Sequence, residues 1–470
     1  MTSCDVLLVN PPCSRLGGGL EHIGLGYLAS SLRREGIAVR IIDVPVEGRP
    51  VREALEELKR IRCSLIGVSL PYQETAREGL DFIHDLRSSG ITTHITVGGI
   101  YPTFGYEEIM ALYPAVDSVV VGEGEETLPA VANAVMAGRS LEGVAGVVYR
   151  QGARLVVNPD RPSVPDLDDL PFPDRDTLPP VLRRFGFASM LTSRGCYGRC
   201  TFCSVDAFYS RFGPKFRLRS SENVLAELEH LYDAYGVRNV MLSDANFISG
   251  KGIGARRAAE IAEGILRRQW DLEFRIQCRV DDVDEELFTL MKRAGLTRVY
   301  LGVEAGSQAM LDRFRKDVSV EENFKAIELL NKLGMFISMG FIMFDHCTDL
   351  KELSENIDFV KRVKALVPKD RLGKVHPLTR LFPLAGTEAE RQLRQQGKYT
   401  GTGLRLSYKF DDPVIDLLYN TMNWGSNLFW SVRRLFNRGD DLARDWVRGW
   451  RQSKRPGAGG LEARPAGGCT

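Results

Sequence analysis

Residues 189–203, SMLTSRGCYGRCTFC, run from a strand candidate (189–193) into a loop with three cysteines, Cys196, Cys200 and Cys203. Thiols at C-x3-C-x2-C spacing can wrap three corners of one cubane iron–sulfur cluster. Such a cluster normally takes four thiolates, so the fourth iron is left open. A zinc site is the competing reading. Zinc knuckles pair C-x2-C with a second such pair, which is missing here. Gly195, Gly198 and Phe202 suit a tight loop around a cluster. A loop leaving the C-terminal end of a strand is also where barrel enzymes carry their chemistry.

Downstream of the loop, strand candidates continue at 239–244 (NVMLSD), 273–279 (EFRIQCR), 298–304 (RVYLGVE), 336–344 (FISMGFIMF) and, more weakly, 374–382 (KVHPLTRLF). Helix candidates such as 221–236 and 284–295 fill the spacers. Six β/α units fall short of the eight that close a TIM barrel, so a partial barrel is expected over residues 186–400. Upstream, residues 1–140 alternate short apolar runs (4–10, 38–43, 64–70, 94–99, 117–125) with helical segments. That alternation predicts a doubly wound parallel sheet. Residues 141–185 read as a proline-rich linker, with seven prolines between 158 and 182. Residues 401–453 hold four of the five tryptophans, Trp424, Trp430, Trp446 and Trp450, and predict a small helical cap packed on the barrel through its aromatics. Residues 454–470 have almost nothing to bury and are expected to be disordered.

Bulk properties narrow the class. With 62 basic and 61 acidic residues, the chain has no long-range pull toward nucleic acid or an anionic membrane. The longest apolar runs are too short to span a bilayer, and the N-terminal run lacks a basic leader. Nine cysteines, six of them scattered, do not form a secreted disulfide framework, so a reducing cytoplasm is expected.

The cysteine segment resembles the signature of the radical SAM (S-adenosylmethionine) superfamily. The chain to about residue 400 resembles the branch with an N-terminal cobalamin-binding domain. Asn10-Pro11-Pro12, Gly98-Gly99 and Gly122-Glu123-Gly124-Glu125 carry the likeness in the first domain. Phe216-Arg217-Leu218-Arg219, Asp244-Ala245-Asn246-Phe247, Gly302-Val303-Glu304-Ala305-Gly306-Ser307 and Pro383-Leu384-Ala385-Gly386-Thr387 carry it in the second, in the expected order. The resemblance implies an α/β fold: a Rossmann-like, B12-binding type domain, a partial (β/α)6 barrel and a C-terminal helical cap. It implies a [4Fe-4S] cluster on Cys196, Cys200 and Cys203, with SAM on the open iron and reductive cleavage to a 5′-deoxyadenosyl radical. It places Phe202 beside adenine, and Asp244 and Asn246 toward the methionine moiety. Glu304 and Ser307 fall near ribose or carboxylate, and the backbone of 340–344 near adenine. Arg279 reads equally as a SAM contact or a solvated charge.

Two departures matter. After the third strand the chain has Pro71-Tyr72-Gln73-Glu74, bulky residues that would fill the space of a corrin ring, while Gly98 and Gly99 leave room opposite. His22, His84 and His94 are isolated and read as structural or solvated. Cobalamin binding and a domain that only supports the barrel both stay open. Second, Asp345, His346 and Cys347 replace the commoner Gly-x-Pro-Gly pattern, and would supply an acid, a base and a hydrogen-atom donor at the barrel mouth. Together these features favour radical dehydration or deoxygenation of a sugar-like or aminocyclitol substrate, similar to the diol dehydratases of aminoglycoside biosynthesis. Cobalamin-dependent C-methylation is the alternative, and a non-catalytic cluster-bearing sensor is the third reading. A small-molecule substrate and a low-potential electron donor, a flavodoxin or ferredoxin, are the expected partners.

Overall fold

Val6–Asn10 (β1) is a run of branched aliphatics stopped by two prolines, and Val6 to Val9 are fully buried. In the computed structural model, which describes residues 3–13 and 20–436 (side chains to 425), β1 pairs in parallel with β2 (Val39–Asp43) and β3 (Leu65–Ser69). The sheet continues through β4 (His94–Gly98) and β5 (Ser118–Val120), also parallel. Its order starts β2-β1-β3, so the topological switch point lies between β1 and β3, where doubly wound sheets leave a crevice.

The first sheet does not stop at residue 140. β6 (Val147–Gln151) and β7 (Arg154–Val157) add an antiparallel hairpin to β5, turning at Gly152, whose φ is +61°. Two short β-branched runs around that glycine found an open edge to pair with. The start of the expected linker is therefore sheet, and only the proline-rich stretch from 158 onward wraps between domains.

The second sheet is parallel, in the order β14-β13-β12-β11-β8: β8 (Ala188–Met190), β11 (Asn239–Leu242), β12 (Glu273–Arg279), β13 (Leu296–Glu304) and β14 (Phe336–Phe341). The expected strand over 189–193 is split. After Met190 the chain leaves this sheet and enters a two-stranded ribbon, β9 (Ser193–Gly195) against β10 (Phe216–Leu218). The sixth expected strand, 374–382, is also absent. Two isolated bridges, Ile337 with Leu372 and Phe344 with Arg380, hold the sixth position instead. Pro377 lies between them and has no N–H to donate to a ladder.

In the cap, helix Pro413–Phe436 docks through Ile415 and Tyr419, the latter against Phe344 and Phe410. Trp424 takes no part in docking and is 68% exposed. The side chain of Trp430, the other two cap tryptophans and the tail 454–470 lie outside the described residues. Among the described residues, no helix is long and apolar enough to cross a membrane.

Tyr72 and Gln73 are not where the sequence suggested. Tyr72 is 53% exposed. Gln73 is buried and spans two parts of the molecule: its Nε2 donates to Gly403 O (2.5 Å) and its Oε1 accepts from Ala385 N–H (2.7 Å). Gln73→Ala would orphan both backbone groups and is expected to destabilise the fold by about 2 kcal/mol, while Tyr72→Ala stays within about 0.5 kcal/mol. Denaturant titration of the two variants checks this contrast.

Candidate active site

Gly195 ends β9 with φ +88°, and a Cβ there would sit 2.0 Å from Lys215 O, so no larger residue fits. Cys196, Cys200 and Cys203 follow, all unbridged and half-buried. Gly198 N–H donates to Cys196 Sγ (3.4 Å) and Arg279 Nη1 to Cys200 Sγ (3.6 Å). Cys203 precedes helix Ser204–Phe212, and its sulfur accepts from the N–H groups of Asp206 and Val205. Burial pushes the Cys203 thiol up to about 12. Burial also raises Cys200, although Lys316 and Arg279 pull it back. Three sulfurs near enough for their charges to interact, with donors aimed at them, fit a metal–sulfur cluster, whose binding displaces the thiol protons.

Around the thiols the expected residues divide. Asp244 is fully buried: its carboxylate accepts from Thr192 N–H (2.8 Å), Thr192 Oγ1 (3.1 Å) and Ser193 Oγ (2.7 Å), and faces Arg257. It does not point to an open site. It holds the crossover from β8 into β9, at the point where the 189–193 strand is split. Asn246 donates to Asp282 Oδ2 (2.7 Å) and lies 3.9 Å from Cys196 Sγ, while its Oδ1 is buried without a partner. Ser307 Oγ is likewise buried and unpartnered. Buried polar atoms left unsatisfied by the fold call for a partner, an ordered water or a ligand. Glu304 adopts φ +68° and takes Lys316 Nζ at 3.1 Å. Arg279 is no solvated charge: it pairs with Asp281 (2.9 Å) and abuts Cys200. The Phe202 ring meets Phe314 edge-on at 5.2 Å. Lys316, buried beside Cys200, carries no sequence signal of its own.

The expected trio at 345–347 is not one constellation. Asp345 is locked by Arg313 (2.9 and 3.0 Å), Thr348 Oγ1 (2.9 Å) and Cys347 N–H (3.1 Å). A carboxylate so saturated is structural. His346 and Cys347 face the cap, where Cys347 Sγ donates to Asp411 Oδ2 at 3.5 Å. Burial lowers the His346 pKa and raises that of Cys347 to about 11.

Beyond the cluster loop lies an open cavity of about 230 Å³ at the carboxyl ends of β1, β3, β4 and β5. Its first-domain wall includes Gly67, Ser69, Gly98 and Gly99, and neither Tyr72 nor Gln73 intrudes. Its other wall comes from the cluster side: Arg194, Phe208 and Tyr209. Glu123 and Glu125 tie the walls together. Arg194 donates to Glu123 (2.9 Å) and to Glu125, and Arg217 to Glu123 (2.6 Å), all nearly dry. Glu123→Ala leaves buried Arg217 without a carboxylate partner and Arg194 with Glu125 alone, and is expected to cost about 3 kcal/mol. A lowered melting temperature together with reduced iron content after cluster reconstitution checks it.

Comparison with known proteins agrees with this geometry. Residues 190–360 match the radical SAM superfamily and residues 12–132 match the B12 binding domain. An uncharacterised methyltransferase of Pyrococcus horikoshii is 28% identical over 82% of this chain and 84% of its own. The 4′-phospho-dehydrooxetanocin synthase of Priestia megaterium is 30% identical over 78% of this chain, which spans only 51% of that protein. The hopanoid C-3 methylase of Methylococcus capsulatus is 31% identical over 69% and 61%. In fold, the chain is similar to the cobalamin-dependent S-adenosylmethionine radical enzyme OxsB, with a TM-score of 0.76, 24% identity, and coverage of 96% and 71%. The chain thus carries a domain of the radical SAM superfamily that follows a B12 binding domain.

Proposed function

We propose that this chain is a cobalamin-dependent radical SAM enzyme that methylates an unreactive carbon of a small molecule. One observation carries the reading. An open, mostly apolar cavity rich in glycine, at the switch point of the first sheet, is walled on its far side by the helix that leaves Cys203. The relatives named as methyltransferase and methylase point the same way.

Dehydration loses its supports. It rested on a bulky loop closing the corrin space and on free acid–base groups at 345–347. Tyr72 and Gln73 leave the cavity open, and Asp345 is committed to Arg313.

When bound, the cluster and SAM would supply a carbon-centred radical, and the corrinoid a methyl group. The chain's own residues do the placing. Lys316 and Arg279 set positive charge beside Cys200 and so favour added negative charge on the cluster. Asn246 Oδ1 can accept from the amino group of SAM, and Ser307 Oγ can bond its carboxylate or ribose, meeting the needs of two orphaned atoms. Phe202 and Phe314 shield this region from water. A low-potential flavodoxin or ferredoxin is the proposed electron source.

The test is anaerobic reconstitution with iron, sulfide, SAM and hydroxocobalamin, followed by desalting and reductive turnover. About one bound corrin per chain is expected, with candidate substrates yielding both 5′-deoxyadenosine and S-adenosylhomocysteine. Cleavage to 5′-deoxyadenosine with corrin absent would overturn the proposal.

A further inference from the structure

His22 caps the first helix, Ile23–Arg34, and is one of the residues that line the cavity. The residue is held at two points. Its Nδ1 accepts a hydrogen bond from Leu25 N–H at 3.2 Å. Its backbone N–H donates to Asp43, which is itself fixed by Asn10 Nδ2 at 2.9 Å and Val46 N–H at 3.2 Å. A Cβ on Gly24 would sit 3.2 Å from the His22 Cε1, so that glycine preserves the room the ring occupies.

The cap fixes the tautomer. A ring nitrogen that accepts from a backbone N–H carries no proton, so in the neutral imidazole the proton sits on Nε2. Burial draws the His22 pKa down to about 4, which keeps the ring neutral. The Nε2 atom is buried and has no partner among the described residues. An unsatisfied buried donor carries the full cost of its desolvation, and an acceptor arriving with a ligand removes that cost.

We propose that His22 Nε2–H donates a hydrogen bond to an acceptor oxygen of the corrinoid in this cavity, and does not ligate cobalt. Ligation needs the Nε2 lone pair. The proton would have to move to Nδ1, where it would confront Leu25 N–H and break the helix cap. The acceptor is an oxygen on either of two parts of the corrinoid: an amide carbonyl at the macrocycle edge, or the phosphate of the nucleotide loop. The inference rests on the reading that the cavity takes a corrinoid.

The test compares the full-length wild-type protein with His22→Asn, in which the asparagine oxygen keeps the N-cap. Melting temperature and iron content should stay close to wild type. Both proteins are titrated with hydroxocobalamin and with aquacobinamide, which lacks the nucleotide loop. His22→Asn is expected to bind cobalamin about tenfold more weakly. An equal loss with cobinamide assigns the acceptor to the macrocycle, and a loss confined to cobalamin assigns it to the phosphate. Unchanged cobalamin affinity in His22→Asn overturns the proposal. Electron paramagnetic resonance of wild-type protein loaded with cob(II)inamide decides the ligation question without relying on any variant. Cobalt lines free of nitrogen splitting are expected, and a nitrogen triplet overturns the proposal. If the wild-type protein binds neither corrinoid, the cobalamin reading itself fails, an outcome distinct from equal binding by the two proteins.

Discussion

Burying a charge is the constraint from which the rest of this molecule follows. Glu123, Glu125, Arg194 and Arg217 lie almost out of reach of water at the seam between two domains. An isolated charge there would cost several kcal/mol, so each must meet its partner in good geometry or the seam will not close. Arg194 belongs to the strand that enters the cysteine loop, and Glu123 and Glu125 to the loop that follows β5. Satisfying these charges fixes the metal loop against the open end of the first sheet. The cavity is the space left when that fit is made.

A second dry network anchors the proline-rich connection. Arg175 reaches Glu21 and Glu227, both at 2.6 Å, and Arg219 shares Glu227. Burial is so complete that Glu21 is pushed up to about 7 even with an arginine beside it. Glu21 directly precedes His22, so this network also steadies the wall of the cavity. The connection thus works as a strap with fixed ends.

The cluster cysteines were legible because the chemistry needs its donors close together in the chain. The alternating elements of both sheets were legible because strand and helix periods differ. What escaped was pairing between distant residues. Asp244 stood out as a polar group at a strand end, yet its task depends on Thr192 and Ser193, more than fifty positions earlier. Asp345 looked like an acid until Arg313 was found across from it. The sixth strand had the right composition, but Pro377 denied it a ladder. Tyr72 and Gln73 were judged by bulk, when what mattered was which way the chain turned them. His22 looked isolated because its partners are backbone atoms and a cavity.

Helix Ser204–Phe212 joins the two halves of the site. Its first turn donates to the sulfur of Cys203, Phe208 and Tyr209 wall the cavity, and Phe212 packs where a side chain on Gly122 would go. A helix is a ruler graduated at about 1.5 Å and 100° per residue. The separation and angle between metal loop and cavity wall are therefore counted in residues. Many substitutions on its outer face leave that count intact. Inserting or deleting a single residue swings Tyr209 off the wall while Cys203 stays in place, so the geometry tolerates a change in the spelling of this segment and not a change in its length.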